Sequence, residues 1–561
     1  MQNIYGKKIT PYQWQTRVNK DKDTMVIAPT GAGKSVAAYL WAFGEESNKY
    51  DKIIFTAPIK ALSNERYLEL KKLYGKDNVG ILTGDVKQNT NARILCMTQE
   101  IYTNYYAKLP NQKVIIDEVH YMFQDINRSR TYVDGLVNTH DASKIMLLSA
   151  TINKNVISYF EKLTHRPLET IVVKKRPVDI QYIGKANYLS ALTEYTPSLI
   201  FVFSIRGIKQ IAEHLLYIRA NKLGYTQQNY EVLQQEIQRF GITNQPLINL
   251  ASYGIAIYHG QMKIKEKLFV ERLVRNGIVD VVVGSDALAL GVNLPVKSVF
   301  FGQLAKYYDG PISKREFLQM AGRAGRPNLH EIGYVGFIET GFESDLYTTE
   351  ALYQRLQKLP LEQEHLLIPV DYKYILYNTS WDDIITTIKH KKKCSTLTAL
   401  IEQEAKYISE YSLTNYSFNT IFDQVSSNIK SFMKDIYNML KIHDHPEEIY
   451  EIMKTIYYHE MPITVVVEAS LRVHYAGYID AMDFYSEEVF HVAKQNYDSQ
   501  RELLQFLRFY NHLKPNFTIH KLEDFINFIK MQDEFAVNPD KLDEVISSNS
   551  AATSNEVELS Q

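Results

Sequence analysis

The segment TMVIAPTGAGKS, residues 24–35, decides the fold class of this chain. A short run suited to a buried strand leads directly into a glycine-rich turn, and a helical pattern begins at Lys34. In such a turn the backbone N–H groups can approach phosphates, and the positive end of the following helix strengthens the attraction. The segment therefore predicts a strand–loop–helix unit that binds a nucleotide, with a chance turn of glycine and serine as the alternative.

Two side chains of this loop carry specific expectations. Lys34 would reach the β- and γ-phosphates, and the Ser35 hydroxyl would ligate magnesium. The strict phosphate-binding-loop motif, GxxxxGK[ST], begins with glycine, whereas this chain has Ala28 at that position. The remaining loop residues expected to hold the nucleotide are Pro29, Thr30, Gly31, Ala32 and Gly33.

Similar short apolar runs recur from residue 24 to about residue 340. Such runs are typical of strands buried on both faces of a parallel sheet. They form two groups that meet near residue 175, around KKRPVDIQY (174–182). We therefore predict an α/β fold with two tandem parallel-sheet domains, 1–175 and 176–345, a mainly helical accessory domain, 346–545, and a disordered tail, 546–561.

Composition limits the partners and the setting. Lys and Arg total 63 against 64 for Asp and Glu, so any nucleic-acid binding must use a local groove and not a global basic field. The two cysteines, Cys96 and Cys394, form no CxxC pair, which disfavours structural zinc and a disulfide framework. We expect an intracellular, cytoplasmic protein, and no run reaches the ~20 apolar residues that span a bilayer.

A second apolar run, VIIDEVHYM (114–122), ends in the adjacent carboxylates Asp117 and Glu118. Acids at this point could simply mark a helix start, where the positive end of the macrodipole favours them. With a phosphate-binding loop in the same sheet, one carboxylate can hold magnesium while the other orients or deprotonates an attacking water. We assign Asp117, together with Ser35, to the metal and Glu118 to the water.

The ordered motifs of residues 9–340 resemble those of the DExH-box helicases of superfamily 2, and especially the Ski-like group. APTGAGKS (28–35) resembles motif I, DEVH (117–120) motif II, LLSAT (147–151) motif III and QMAGRAGR (319–326) motif VI. The resemblance implies two RecA-like domains with ATP and Mg²⁺ as cofactors. It also implies that TPYQWQ (10–15) reads adenine, with Gln13 as the contact.

Further roles follow from the same resemblance. Gln319, Arg323 and Arg326 of motif VI would face ATP bound on the first domain, where a guanidinium can neutralise charge on the transferred phosphoryl group. GSDALALGVNLP (284–295) resembles motif V, although Ser285 and Asp286 stand where Thr and Glu are more usual. Its Gly291 belongs to the expected nucleotide set. The residues expected to couple hydrolysis to strand movement are His120, Ser149 and Thr151.

The resemblance also implies a groove for a single strand, gripped mainly by its phosphates and sugars. The elements concerned are TAPIKALSNERY (56–67), GILTGD (80–85), MTQEI (97–101), FVFSIRG (201–207), IYHGQM (257–262) and motif V. The expected contacts are Pro58, Lys60, Thr83, Gly84, Thr98, Glu100, Ser204, His259, Gly260 and Ser285.

These expectations indicate an ATP-dependent helicase or translocase acting on a single strand, with RNA favoured over DNA, and the resemblance implies movement 3′ to 5′. The alternatives are a DNA helicase of the repair group, a duplex translocase without strand separation, and a non-enzymatic scaffold. The intact Lys34, Asp117, Glu118, Arg323 and Arg326 speak against the scaffold. The motifs do not indicate which proteins bind to this chain.

Overall fold

The computed structural model describes residues 2–4, 7–84, 86–289, 294–306, 309–327, 329–342, 348–379 and 381–442. The predicted disordered tail and most of the predicted accessory domain lie outside these residues. Packing divides the described chain into two units. One holds the residues up to His120 and from Asn138 to Gln363, and the other holds Tyr121–Val137 and the residues from Glu364 onward.

The N-terminal part of the first unit is built around a mainly parallel sheet. Its strands are short and mostly buried. The strands of this part are β1 (Gln2–Ile4), β2 (Lys7–Ile9), β3 (Thr24–Ile27), β4 (Lys52–Ala57), β5 (Val79–Leu82), β6 (Lys87–Gln88), β7 (Ile94–Thr98), β8 (Gln112–Ile116), β9 (Lys144–Ser149) and β10 (Glu169–Val172). The hairpin β1–β2 is separate, and the sheet order is β10-β3-β9-β8-β4-β7-β5-β6, with only β5–β6 antiparallel.

This strand order determines where the loops meet. Strands β3, β9 and β8 are neighbours, so the loop after β3, the end of β9 and the acids after β8 share one edge of the sheet. Loops at the carboxyl edge of a parallel sheet are where α/β proteins hold their ligands. The helices of this part are α1 (Lys34–Ala42), α2 (Lys60–Tyr74), α3 (Gln99–Ile101) and α6 (Ile157–Thr164), while α4 (Tyr121–Gln124) and α5 (Ile126–Val137) belong to the second unit.

The remainder of the first unit contains a second parallel sheet. Its strands are β11 (Asp179–Lys185), β12 (Ser198–Phe201), β13 (Ile255–Tyr258), β14 (Val281–Gly284), β15 (Ser298–Phe301) and β18 (Ile332–Phe337), and β16 (Ala305–Lys306) and β17 (Gly310–Pro311) form a small hairpin. The sheet order is β11-β18-β15-β12-β14-β13, with every pair parallel. Fully buried strands such as VVVG, Val281–Gly284, explain the continuous apolar runs in the sequence.

The helices of the first unit that accompany this second sheet are α7 (Tyr188–Leu192), α8 (Ile205–Asn221), α9 (Tyr230–Phe240), α10 (Gln245–Ser252), α11 (Ile264–Arg275), α12 (Lys314–Ala321) and α13 (Thr349–Lys358). The second unit contains α14 (Tyr372–Tyr377), α15 (Trp381–His390), α16 (Ser395–Tyr411) and α17 (Phe418–Ile442). The predicted class, two parallel-sheet α/β domains followed by helices, is confirmed. The predicted boundaries at 175 and 345 stay predictions. No described helix has the length and apolarity needed to cross a membrane.

The second unit joins α5 to helices that lie far along the chain. Arg130 of α5 forms a bidentate ion pair with Glu404 of α16, whose side chain is only 2% exposed. Tyr407 donates a hydrogen bond to Asp134, and its ring lies 4.2 Å from the Arg130 guanidinium. Helix α5 is therefore held by α16.

Candidate nucleotide site

The phosphate-binding loop has the backbone conformation that its glycines predict. Gly31 has φ +80° and Gly33 has φ +93°, a region that residues with a side chain rarely adopt. Gly33 is the N-cap residue of α1, so the backbone N–H groups at the start of that helix face the loop. Lys34 begins the helix, and its Nζ donates a hydrogen bond to the Ala28 carbonyl at 3.0 Å.

Gln15 supports this loop, a role that the sequence did not reveal. Its Nε2 donates to the Gly33 carbonyl at 2.8 Å, and its Oε1 accepts from the Tyr12 N–H at 2.7 Å. A side chain at position 33 would place its Cβ 2.5 Å from the Gln15 amide. Gln13, the expected adenine contact, is exposed, and its backbone carbonyl accepts a hydrogen bond from the Thr16 hydroxyl at 2.8 Å. In the sequence, the position of Gln15 in the TPYQWQ segment was the one feature that could have indicated this role.

The two acids follow β8 directly, with different geometry. Asp117 Oδ1 accepts a hydrogen bond from the Glu118 N–H at 3.0 Å. Glu118 has φ +50°, a left-handed conformation that is uncommon outside glycine and clusters at functional sites. Burial, together with the Glu118 charge, raises the pKa of Asp117, while the Arg66 and Lys34 charges oppose the rise.

Arg66 links the loop to the acids, and the sequence analysis did not identify it. Its Nη2 donates to Ser35 Oγ at 3.1 Å and lies 3.3 Å from Asp117 Oδ2. Its Nη1 donates to Tyr39 and Glu69, at 2.5 Å and 2.9 Å. The Ser35 hydroxyl and the Asp117 carboxylate, which are expected to ligate magnesium, thus both contact Nη2 of Arg66. Two oxygens placed in this way suit a hard divalent cation. The Arg66 guanidinium would have to move away before a metal ion could bind to them.

His120 connects motif II to motif III. Its Nδ1 lies 3.1 Å from Ser149 Oγ and 3.3 Å from Glu118 Oε2, and the ring is 1% exposed. Burial, followed by the nearby Arg315 and Lys34 charges, lowers the pKa of His120 to about 3, so the ring is neutral at pH 7. Thr151, the other expected coupling residue, is also buried.

Motif VI approaches the same loop within the first unit. A Cβ on Gly322 would lie 3.1 Å from the Thr30 Cβ, so the two segments are in close contact. Gln319 lies on α12, and Arg323 follows it and donates through Nη2 to the Ala289 carbonyl. Burial and the Arg323 charge lower the pKa of Arg326 to about 10. Gly291 lies outside the described residues.

The residues expected to touch nucleic acid separate into two groups. Buried or locally hydrogen-bonded side chains form the first, and partly or fully exposed positions form the second. Pro58, Thr83, Thr98 and His259 are buried, while Ser204 and Ser285 accept hydrogen bonds from the backbone as N-cap residues. Lys60, Glu100, Gly84 and Gly260 retain exposure.

The Thr83 hydroxyl illustrates the difference, because it accepts from the Val86 N–H at 3.1 Å and the residue is 1% exposed. A strand contact at Thr83 would therefore use the backbone.

The fold places a glycine-rich loop at the edge of one parallel sheet and an arginine-containing turn beside the other. Residues 10–159 match the DEAD/DEAH box helicase family, and residues 232–328 match the helicase conserved C-terminal domain. The predicted resemblance to the DExH-box helicases of superfamily 2, and to their Ski-like group, is confirmed by these two helicase domains and by the similar proteins.

Several curated helicases are similar to the motor part of the chain. ATP-dependent RNA helicase mtr4 of Schizosaccharomyces pombe is 27% identical over 405 residues, covering 57% of this chain and 35% of that protein. DExH-box ATP-dependent RNA helicase DExH10 of Arabidopsis thaliana is 27% identical, covering 59% and 41%. Superkiller complex protein 2 of Homo sapiens is 26% identical, covering 57% and 32%. The aligned part of the chain thus spans between 32% and 41% of these relatives.

Proposed function

We propose that this protein is an ATP- and magnesium-dependent helicase that moves 3′ to 5′ along single-stranded RNA. The observation that carries the proposal is the convergence of Ser35 and Asp117 on one cationic nitrogen beside the phosphate-binding loop. This arrangement supplies a phosphate cradle and a cation position at one sheet edge. Glu118 follows directly and can serve the attacking water.

ATP would bind with its phosphates on the N–H groups of residues 31–35 and with Lys34 at the terminal phosphates. Bound magnesium would supply charge neutralisation at the phosphates. Asp117 and Ser35 would hold it once Arg66 withdraws, and Glu118 would orient or deprotonate the water for in-line attack.

Arginines 323 and 326 complete the proposed site from the second sheet domain. Their charges would stabilise the transferring phosphoryl group, which makes hydrolysis depend on the approach of motif VI to the loop. An arginine finger contributes roughly 10³–10⁵ in rate in other phosphoryl-transfer enzymes. His120 and Ser149 are in contact and would couple ATP hydrolysis to the surface that binds the nucleic-acid strand.

RNA is proposed over DNA because two of the similar proteins, mtr4 and DExH10, are named RNA helicases. The segments TAPIKALSNERY (56–67) and DEVHYM (117–122) also resemble the RNA-processing members of the group. The partly exposed Lys60, at the start of α2, would approach a strand phosphate. An intracellular, cytoplasmic location is part of the same proposal. A DNA helicase and a duplex translocase are the competing functions.

The first experiment tests hydrolysis. Glu118→Gln keeps the side-chain length and removes the charge, so we expect ATP binding to persist and turnover to fall by at least about a hundredfold, the lower range for a catalytic acid–base group. Asp141→Asn, an exposed carboxylate on the same sheet domain, is the matched control. Normal turnover in Glu118→Gln would refute the assignment.

The second experiment tests the substrate. ATPase stimulation is measured with single- and double-stranded RNA and DNA, alongside displacement of strands from duplexes with 3′ or 5′ overhangs. We expect the strongest stimulation by single-stranded RNA and displacement only from the 3′ overhang. Stimulation by duplex without displacement would favour the translocase, and preference for DNA would favour the repair helicase.

A further inference from the structure

Arg176 lies in the linker between the two sheets, after β10 and before β11. Its Nη2 donates hydrogen bonds to three carbonyls of motif VI, those of Gly322 at 3.2 Å, Ala324 at 3.0 Å and Gly325 at 3.4 Å. These carbonyls flank Arg323 on both sides. The linker arginine is therefore attached to the backbone turn that presents the predicted arginine finger.

The same guanidinium lies against the phosphate-binding loop. A Cβ built on Gly31 would be 3.3 Å from Arg176 Nη2 and 4.0 Å from its Nε. Glycine at position 31 leaves room for this approach as well as allowing φ +80°. The Arg176 guanidinium thus contacts motif VI and lies over the loop that would bind the phosphates of a nucleotide.

Two other donors of Arg176, Nε and Nη1, are buried, and neither has a hydrogen-bond partner among the described residues. Burial lowers the pKa of Arg176, with Tyr182 and Asp179 acting in the opposite direction. A buried guanidinium without an anion is costly, whereas phosphate oxygens satisfy such donors well.

We propose that Arg176 is a phosphate-binding residue of the nucleotide site and contacts the terminal phosphates of ATP held on the loop at Gly31. This inference rests on the proposed function, because it assigns a further ligand contact to the same site. Arg176 also holds the motif VI carbonyls, so phosphate bound there would connect the loop, the linker and the Arg323 turn directly.

The test measures nucleotide affinity in the full chain by equilibrium dialysis, with AMP and with the magnesium complex of β,γ-imido-ATP. Arg176→Ala should weaken imido-ATP binding about tenfold to a hundredfold, the range of a hydrogen bond to a charged group, and leave AMP binding within about twofold. Lys175→Ala removes an exposed charge from the adjacent position and is the matched control, with no loss expected.

Arg176→Lys keeps the charge but not the planar set of donors, so it should recover part of the lost affinity. This second variant, with melting temperatures for both, separates a lost phosphate contact from misfolding. Equal losses for AMP and imido-ATP, or no loss in Arg176→Ala, would overturn the inference while leaving the proposed function intact. A wild-type chain that binds neither nucleotide would overturn both.

Discussion

Replacing Arg130 by methionine should destabilise the helical unit by about 3–4 kcal/mol. Arg130 and Glu404 form a bidentate pair, and the Glu404 side chain is 2% exposed. After the replacement, Glu404 keeps one hydrogen-bond donor, the Asp371 N–H at 2.9 Å. Methionine fills much of the lost volume, so most of the cost comes from the unpaired carboxylate.

The size of this cost follows from the burial of the pair. Breaking a buried ion pair by removing one partner costs about 3–5 kcal/mol. The Asp371 N–H remains as a donor to Glu404, and methionine fills much of the space, so Arg130→Met should lie in the lower part of that range.

Hydrogen exchange measured by mass spectrometry follows this unit without requiring the whole chain to unfold. Protection factors of peptides in α5 and α16 should fall by roughly 10²–10³ in Arg130→Met at pH 7, since each 1.4 kcal/mol is a factor of ten. Lys406→Met on α16 is the control, because the side chains of the Lys406–Glu402 pair are 65% and 49% exposed. It should cost at most about 0.5 kcal/mol.

The double variant Arg130→Met with Glu404→Leu removes both charges and should regain most of the lost protection. The reasoning is refuted if Arg130→Met behaves like Lys406→Met at pH 7, or if the double variant loses as much protection as Arg130→Met alone.

Three further predictions concern the first unit. Arg66→Met removes the cation that competes for the predicted metal ligands, so Mn²⁺ binding without nucleotide, followed by electron paramagnetic resonance, should tighten several-fold; weaker binding would contradict this. Burial raises the pKa of Glu271 to about 7, so the folded state binds the extra proton and wild-type stability should fall as the pH rises from about 4.5 to 7. Glu271→Gln should remove up to about 3 kcal/mol of that loss in urea titrations, and an unchanged pH profile would be evidence against it. Gln15→Ala should lower the free energy of unfolding by about 1–2 kcal/mol, whereas the exposed Gln13→Ala should change it by less than about 0.5 kcal/mol; equal effects in thermal melts would argue against loop support by Gln15.

The strands that the sequence predicts are those buried on both faces. TMVI in β3 and VVVG in β14 are apolar throughout because helices cover both sides of each sheet. The edge strands β10 and β11 escaped prediction. DIQYIGK in β11 alternates between exposed and partly buried positions, since an edge strand of the sheet leaves much of its surface in contact with water.

The sequence by itself determined which residues follow two of the buried strands. Lys34 and Ser35 come after the apolar run of β3 and its glycine-rich turn, and Asp117 and Glu118 come directly after that of β8. Parallel strands bring their carboxyl ends to one edge, so local order along the chain is enough for that inference. The boundary near residue 175 stays a prediction.

Only the tertiary structure decided which side chains complete the site. Arg66 and Asp117 are 51 positions apart, and Arg176 and Gly322 are 146 positions apart. A lone arginine in a helix or linker carries no sequence signal of its own, because its role depends on which charges the fold brings within hydrogen-bond distance. For the same reason the pairing of Arg130 with Glu404, 274 positions away, was visible only in the folded chain.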